Sequence, residues 1–519
     1  MIPKVRLLVT AAVCCATLAL GACGGGGDTG PSSDASGEPV AGGEGRILTL
    51  SDPRSLDPAA LGNAYATTGV VGNALYGTLM TDPGGKIRYS MAESFQTTDA
   101  GATFELKLRS GLVFSDGTPL DAEAVKFNWD RLKNPATAAI SRPEASMITS
   151  SDVVDDTTLK ITMATPVPKY AQAVLTSSMN WIASPTALEE GPQAFDTNPI
   201  GAGPFTLRSW TRQAAMELVK NPRYWDAPKP YLDRLTLRAA LDSSQRYNTV
   251  LTGGADAAVE SSWVNLDKAE QAGLPTNLIP TGGGIFMGLN TRRAPFDDVR
   301  ARQALAAAID RDALNQAVYS GTGEPVDTLF SKDSPYYSDT PLATTDRARA
   351  QRLLDELAAD GKPLSFVFSS VPTTDGKAIA ENIQAQLSSF KNVTVKIRTI
   401  EVTELAALRT THDFDVLVSS AFFQDPEPRL WTTFHGSSAA NLPGIDDPAL
   451  NESLATARTA TSEAERKSAY ATLQERLAEL TPVVFLSQAA PSAFSSKNVG
   501  GLVQYGLGSL QPEELWIQH

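Results

Sequence analysis

An α/β or α+β architecture of about three domains is predicted for these 519 residues. Three observations predict it. Past Gly45, short runs that alternate apolar and polar residues, the period of a half-buried strand, are interleaved with stretches whose apolar residues recur at helical spacing. An apolar content of 42% in a chain this long supplies a core that can hold without disulfides. No short-period repeat runs through the chain.

Taken in order, the elements carry their own signals. Phe104, Leu106 and Leu108 alternate as one strand. Asp116-Gly117-Thr118-Pro119 reads as a turn, the glycine giving a permissive backbone angle and the proline fixing the next. Asp121 then caps a helix on which Val125, Trp129 and Leu132 share a face. Gly201 and Gly203 imply close backbone approach, and Pro204 stiffens the start of a strand through Phe205 and Leu207. Asp297 and Asp298, then Asp310 and Asp312, stand at helix starts, where the macrodipole favours acids. Leu353, Leu354 and Leu357 form a helical stripe that Gly361 stops in a left-handed position. Leu364, Phe366 and Phe368, and Val393, Val395 and Ile397, alternate as two further strands. Ser462-Glu463-Ala464-Glu465 is a capping box, and Tyr470, Leu473, Leu477 and Leu480 continue its helix until Pro482.

The first 23 residues predict export. Lys4 and Arg6 precede an apolar run from Leu7 to Leu20, too short for the roughly 20 residues of a membrane-spanning helix. Leu20-Gly21-Ala22-Cys23 closes it with small residues before a cysteine and resembles the lipobox of bacterial lipoproteins. Residues 1–22 are therefore expected to be a signal peptide, Cys23 to carry lipid, and the Gly/Ser/Pro/Asp-rich stretch 23–45 to be a flexible tether at the outer face of the plasma membrane. Cys14 and Cys15 fall in the removed segment, so the folded part has no cysteine pair to join.

Composition and motifs narrow the function classes. A formal charge of −14, more negative once Lys4 and Arg6 are removed, opposes nucleic acid and anionic headgroups as partners. No GxSxG elbow, HExxH or phosphate-binding glycine pattern occurs. Only His412, His435 and His519 could join Cys23 in a zinc site, and their spacing makes no ordinary ligand set. The expectation is a protein with no cofactor, no metal and no enzymatic activity; an envelope-anchored hydrolase is the rival class.

Ordered segments then carry a family likeness. SLDPA (55–59), ALYGTLM (74–80), AESFQTTDAGATFELKLRSGLVFSDGTPLDAEAVKFNWDRL (92–132), NPIGAGPFTLRSW (198–210), KNPRYWDAPKPYLDRLTLR (220–238), GLNTRRAPFDDVRARQALAAAIDRDAL (288–314) and the block 414–503 resemble, in order and spacing, the oligopeptide/dipeptide/nickel family of bacterial extracellular solute-binding proteins. The resemblance covers almost the whole mature chain. It implies an α/β, two-lobed periplasmic-binding-protein fold (class II, the large cluster C form) with an extra domain and an interlobe ligand cleft. By analogy the first lobe comprises 46–73, 198–284 and 491–519, the additional domain 74–197, and the second lobe 285–490. It also implies a monomer that closes around a small-molecule or peptide ligand and delivers it to ABC permease subunits with cytoplasmic ATPases.

Site residues follow from the resemblance alone. The segment after LDP gives Gly62, Asn63, Ala64 and Tyr65. The strand region DFDVLVSSAFFQDPEP (413–428), which in relatives pairs with peptide backbone, gives Ser419, Ser420 and Ala421. Four residues before the proline of the Asp-Pro pair, peptide binders place an aspartate for the ligand's ammonium; this chain has Phe422. A desolvated ammonium without a carboxylate would be costly. Phe422, Phe423, Trp431, Trp263 and Tyr65 are therefore expected to offer stacking surface. A peptide-like solute is the first expectation, and an oligosaccharide, opine or metal chelate the alternative.

Overall fold

The computed structural model describes residues 37–61, 65, 68–401 and 404–518. The expected lipidation site Cys23 and the expected cleft residues Gly62, Asn63 and Ala64 lie outside them.

Alternation and capping build the elements much as their residues dictate. In Thr103–Leu108, Phe104, Leu106 and Leu108 are buried and their neighbours face outward. Asp121 accepts the Ala124 N–H at 2.9 Å and starts Ala122–Lys133, whose Val125, Trp129 and Leu132 are buried. Asp298 and Asp310 cap Val299–Ala308 and Arg311–Tyr319 in the same way. In Arg347–Ala359 the buried seam is Ala350, Leu354 and Leu357, with Leu353 only at its edge. Gly361 then takes φ +76°. Ser462 accepts from Glu465 N–H and opens Glu463–Leu480. Gly201 and Gly203 pack where a Cβ would meet the carbonyl oxygens of Leu75 and Ala74 at 2.2 and 2.4 Å.

Three sheets organise the chain. A seven-stranded mixed sheet runs Thr276–Leu278, Ser492–Ser495, Ala257–Glu260, Glu44–Thr49, Arg234–Ala239, Ala215–Lys220 and Phe205–Thr211. A four-stranded antiparallel sheet from Ala92–Gln96 to Thr158–Met163 shares one continuous core with it, in which Phe95, Trp129 and Tyr170 join Ile47, Leu235 and Tyr505. The third is a five-stranded sheet in the order Val393–Thr399, Leu364–Ser370, Val416–Phe423, Gly282–Leu289 and Val483–Ser487. Alternate residues of its strands feed opposite cores: Met287 and Phe366 pack on one face, Phe286, Phe423 and Phe485 on the other.

The chain passes between the large sheets at 279–281 and 488–491. Just past the first crossing, Gly283 takes φ +66° beside Ala421, whose carbonyl oxygen would lie 2.0 Å from a Cβ. Only glycine fits both the angle and the contact. That close pairing aligns Gly283 with Phe422 and Ile285 with Ser420.

One buried acid makes stability depend on pH. Glu513 is 7% exposed, its Oε2 has no partner, and burial lifts its carboxyl from 4.5 to about 7. Between those values the folded state holds a proton the unfolded chain has lost, so its contribution falls as pH rises, on the order of 3 kcal/mol in all. Urea titrations at pH 5 and pH 8 should show Glu513→Gln losing less stability across that interval than the parent; an equal loss in both would remove Glu513 from the account.

Candidate functional site

The strand Val416–Phe423 is the wall from which the site is built. Its period of two divides the expected ligand residues: Ala421 and Phe423 are 0% and 2% exposed and belong to the second-lobe core, Phe423 lying 5.5 Å from the Phe330 ring. Ser419, Ser420 and Phe422 are half-buried and line a cavity of about 940 Å³. Of these five residues Ser419, Ser420 and Phe422 line the large cavity; the strand period separates Ser420 and Phe422 from Ala421 and Phe423, whereas Ser419 reaches the cavity although it shares the parity of the core residues. Phe423 reaches only a side chamber of about 50 Å³.

Tyr65 faces Phe422 from the opposite wall, held by bridges to Leu507 and Gly508, with ring centroids 5.6 Å apart. Nearby, the Gln424 amide nitrogen donates to the Gly506 carbonyl at 2.9 Å and to Asp82 Oδ2 at 3.1 Å. The cavity is also lined by Ser261 and by Ala489, Ala490 and Pro491 of the second crossing.

The other expected aromatics stand elsewhere. Trp263 is 8% exposed and donates its indole N–H to the Gln488 carbonyl at 3.0 Å, pinning a helix start to the crossing strand. Trp431 stacks on His435 at 4.5 Å and carries Arg458 over its other face at 3.9 Å. It lines a separate, mostly apolar cavity of about 620 Å³ with Pro143, Met147 and Val167. Neither tryptophan lines the large cavity: the Trp263 indole is engaged by the second crossing, and Trp431 borders the second cavity.

The charged groups of the large cavity were not anticipated. They are Arg409, from the helix Glu404–Thr411, and Arg429, the first residue of Arg429–Phe434, with Asp375 near the start of Thr374–Leu387. Arg429 donates Nη2–H to the Ser420 carbonyl at 2.7 Å and leaves its Nε buried without a partner. Arg409 makes no hydrogen bond or ion pair among the described residues. Arg409 is exposed to the cavity, and partial desolvation, then the charge of Arg429, lowers its pKa. His412, also on the wall, is held below its ordinary pKa by burial and Arg292, and so is neutral at pH 7.

Acids that could have balanced the arginines are taken up by other cations. Asp425 takes Arg466 at 2.7 Å, Glu427 is paired with Arg458, and Glu260, fully buried, is paired with Arg246. Glu144, in the side chamber, has a buried Oε2 without a partner, and burial lifts its carboxyl to about 7. Single charges in a chain with 44 Lys and Arg give no sequence signal. Only the prolines at 426 and 428 hinted that Arg429 turns back over the strand.

Comparison with known proteins places this geometry in a family. The sequence model described as bacterial extracellular solute-binding proteins, family 5, middle, matches residues 86–441. The glutathione-binding protein of Pectobacterium atrosepticum is 26% identical over 470 residues, 86% of this chain and 89% of that one. The dipeptide-binding protein of Pseudoalteromonas sp. SM9913, solved with Met-Leu, superposes with TM-score 0.81 at 21% identity over 92% of this chain and 100% of its own. The binding protein AgaA of A. tumefaciens R10, solved with agropinic acid, gives 0.79 at 24% identity over 92% and 99%. At these identities the two structures establish the fold alone.

Proposed function

Because this chain belongs to the family 5 bacterial extracellular solute-binding proteins, which serve ABC importers from outside the cytoplasm, we propose that it captures an anionic, peptide-like solute between its lobes and delivers it to its permease. The observation that carries this is Arg409 and Arg429 on the wall of the 940 Å³ cavity, neither of which makes an ion pair among the described residues, Glu144 in the side chamber being the acid on which the Arg429 charge acts. A solute carboxylate held between two guanidinium groups would form charge-assisted hydrogen bonds and relieve their mutual repulsion. The cavity volume is at the upper end of the roughly 300–1,000 Å³ common for small-molecule sites. Its role is binding rather than catalysis.

Phe422 favours a second reading within the same fold. With an aromatic rather than an acid beside Tyr65, an opine, oligosaccharide or metal chelate could stack there. Mass spectrometry of small molecules released on denaturing the purified protein separates the readings.

The lobes are proposed as 46–73 with 198–284 and 491–519, and 285–490, with 74–197 as the additional domain; sheet membership supports that division. A ligand touching both lobes favours the closed state and, since the unfolded chain has no cleft, raises thermal stability. Saturation at 100 times Kd should add about 2.7 kcal/mol, and small-angle scattering should report a smaller radius. A tight solute that moves neither quantity would reject capture by closure.

Tethering as a monomer through lipid on Cys23 is part of the proposal, supported by Leu20 to Cys23 in the sequence. Cys23→Ala should leave the detergent phase on phase separation; equal partition of variant and parent would reject lipidation.

A further inference from the structure

The two bodies built on the seven-stranded and five-stranded sheets have separate cores and are joined covalently at 279–281 and 488–491. Among the described residues, and away from those crossings, no ion pair links the bodies, and the hydrogen bonds that link them both come from one side chain, Gln424. Gln424 follows Val416–Phe423, whose Phe423 lies in the core of the second body. Its amide nitrogen donates to Asp82 Oδ2 at 3.1 Å and to the Gly506 carbonyl at 2.9 Å. Both acceptors belong to the first body: Asp82 stands two residues past Met80 and Gly506 one past Tyr505, and both of those side chains are in its core. Asp82 is 1% exposed, takes the Gly506 N–H at 2.6 Å on its other oxygen, and makes no ion pair among the described residues. Burial lifts its carboxyl only to about 6, so at pH 7 it is ionised and its bond to Gln424 is charge-assisted.

We propose that Gln424 is the latch of the closed state: its amide holds the two bodies together through Asp82 and Gly506, and so sets the closed-to-open ratio that every solute meets. This rests on capture by closure as read above and adds the residue that balances it. Gln424 lines the side chamber and not the large cavity, so it acts on affinity without touching a solute there. An amide is the group that fits. Two acceptors face it, a carboxylate and a carbonyl, and an amide nitrogen carries two N–H donors. The strand that bears Gln424 has no need of either bond, since its pairing with Gly282–Leu289 ends at Phe423. The neighbouring Asp425 and Glu427 are turned to Arg466 and Arg458 within the second body. Tyr65 on Phe422 is a second contact between the bodies, but it supplies no directional bond.

The test compares the parent with Gln424→Met, Gln424→Glu, and Gln424→Glu combined with Asp82→Asn, after melting curves establish that each folds. Single-molecule fluorescence transfer between dyes on introduced cysteines, one on each body, counts open and closed molecules, and calorimetry measures the affinities for glutathione and Met-Leu. Gln424→Met keeps the length of the side chain without its donors, whereas Gln424→Glu sets an acceptor against both acceptors. Without solute the closed-to-open ratio should fall about 10-fold or more in Gln424→Met, the worth of a hydrogen bond to a charged group, and further in Gln424→Glu. The dissociation constants of glutathione and Met-Leu should rise by one common factor in each variant. Adding Asp82→Asn to Gln424→Glu again faces an amide with a carboxylate and should recover part of both changes, which the loss of a packing residue would not allow. If the two dissociation constants rise by different factors, Gln424 touches the solute and is no latch. If the closed-to-open ratio is unchanged in Gln424→Glu, or the double variant recovers nothing, the latch is rejected while closure stands; should neither probe bind, the ratio alone decides in the same way. If glutathione or Met-Leu binds the parent without raising its closed fraction, capture by closure falls and the latch with it.

Discussion

Glu260→Gln is expected to lower the free energy of unfolding by about 3–5 kcal/mol, the range for removing one partner of a buried ion pair. Glu260 is 0% exposed and Arg246 only 2%. Besides the ion pair, Glu260 Oε1 accepts the N–H groups of Ser261 and Ser262 at 2.7 and 3.0 Å, at the start of Trp263–Gln271. Arg246 in turn donates to the carbonyls of Ala240 and Leu241. Glutamine can still accept the backbone hydrogen bonds but leaves the guanidinium without a counter-charge in the interior. Urea denaturation should show the midpoint falling with the slope unchanged. The double substitution Arg246→Met with Glu260→Leu should recover much of the loss, because it removes both desolvation penalties. A cost below about 1 kcal/mol for the single variant would mean that water reaches the pair.

The second large effect concerns binding. Arg409→Gln should weaken an anionic solute by about 2–3 kcal/mol, roughly 30- to 150-fold, the worth of a hydrogen bond to a charged group. The same variant, without solute, should melt no lower than the parent, since it removes an exposed cation that repels Arg429 and makes no hydrogen bond or ion pair among the described residues. Binding and stability thus move independently, which a purely structural arginine could not produce. Calorimetry and thermal melts on the same preparations check both halves. Unchanged affinity for a solute with a carboxylate would reject Arg409 as an anchor.

Much of the architecture was legible because it is written locally. Alternation marked Thr103–Leu108, Leu364–Ser370 and Val393–Thr399, and Asp121 and Ser462 announced their helices through a single side-chain oxygen each. The cavity was less legible because it is made by convergence. Arg409 and Arg429 are 20 positions apart in sequence, and Asp375 comes from another helix. Ala421 and Phe423 were grouped with the ligand-facing residues although the rule that turns them into the core, the strand period, was already in use for other segments. Family likeness had marked the region as a block, and a block is not a face. Trp263 and Trp431 show the opposite difficulty: large aromatics look like ligand surface in a sequence, and only their partners, the Gln488 carbonyl and the Arg458 guanidinium, show that the protein itself occupies them.

The Tyr65 and Phe422 contact across the cavity bears on how scarce a nutrient this protein can scavenge. An aromatic pair contributes about 0.5–1.5 kcal/mol, which multiplies the closed-to-open ratio about 2- to 12-fold. When closed molecules are the minority, every solute's dissociation constant falls by that same factor, so the ratio between two competing solutes is untouched. Weakening this contact would raise the threshold concentration for uptake without changing the diet, while edits at Arg409 and Arg429 would change the diet at a fixed threshold. Sensitivity and selectivity can therefore diverge along separate lines of descent from one scaffold.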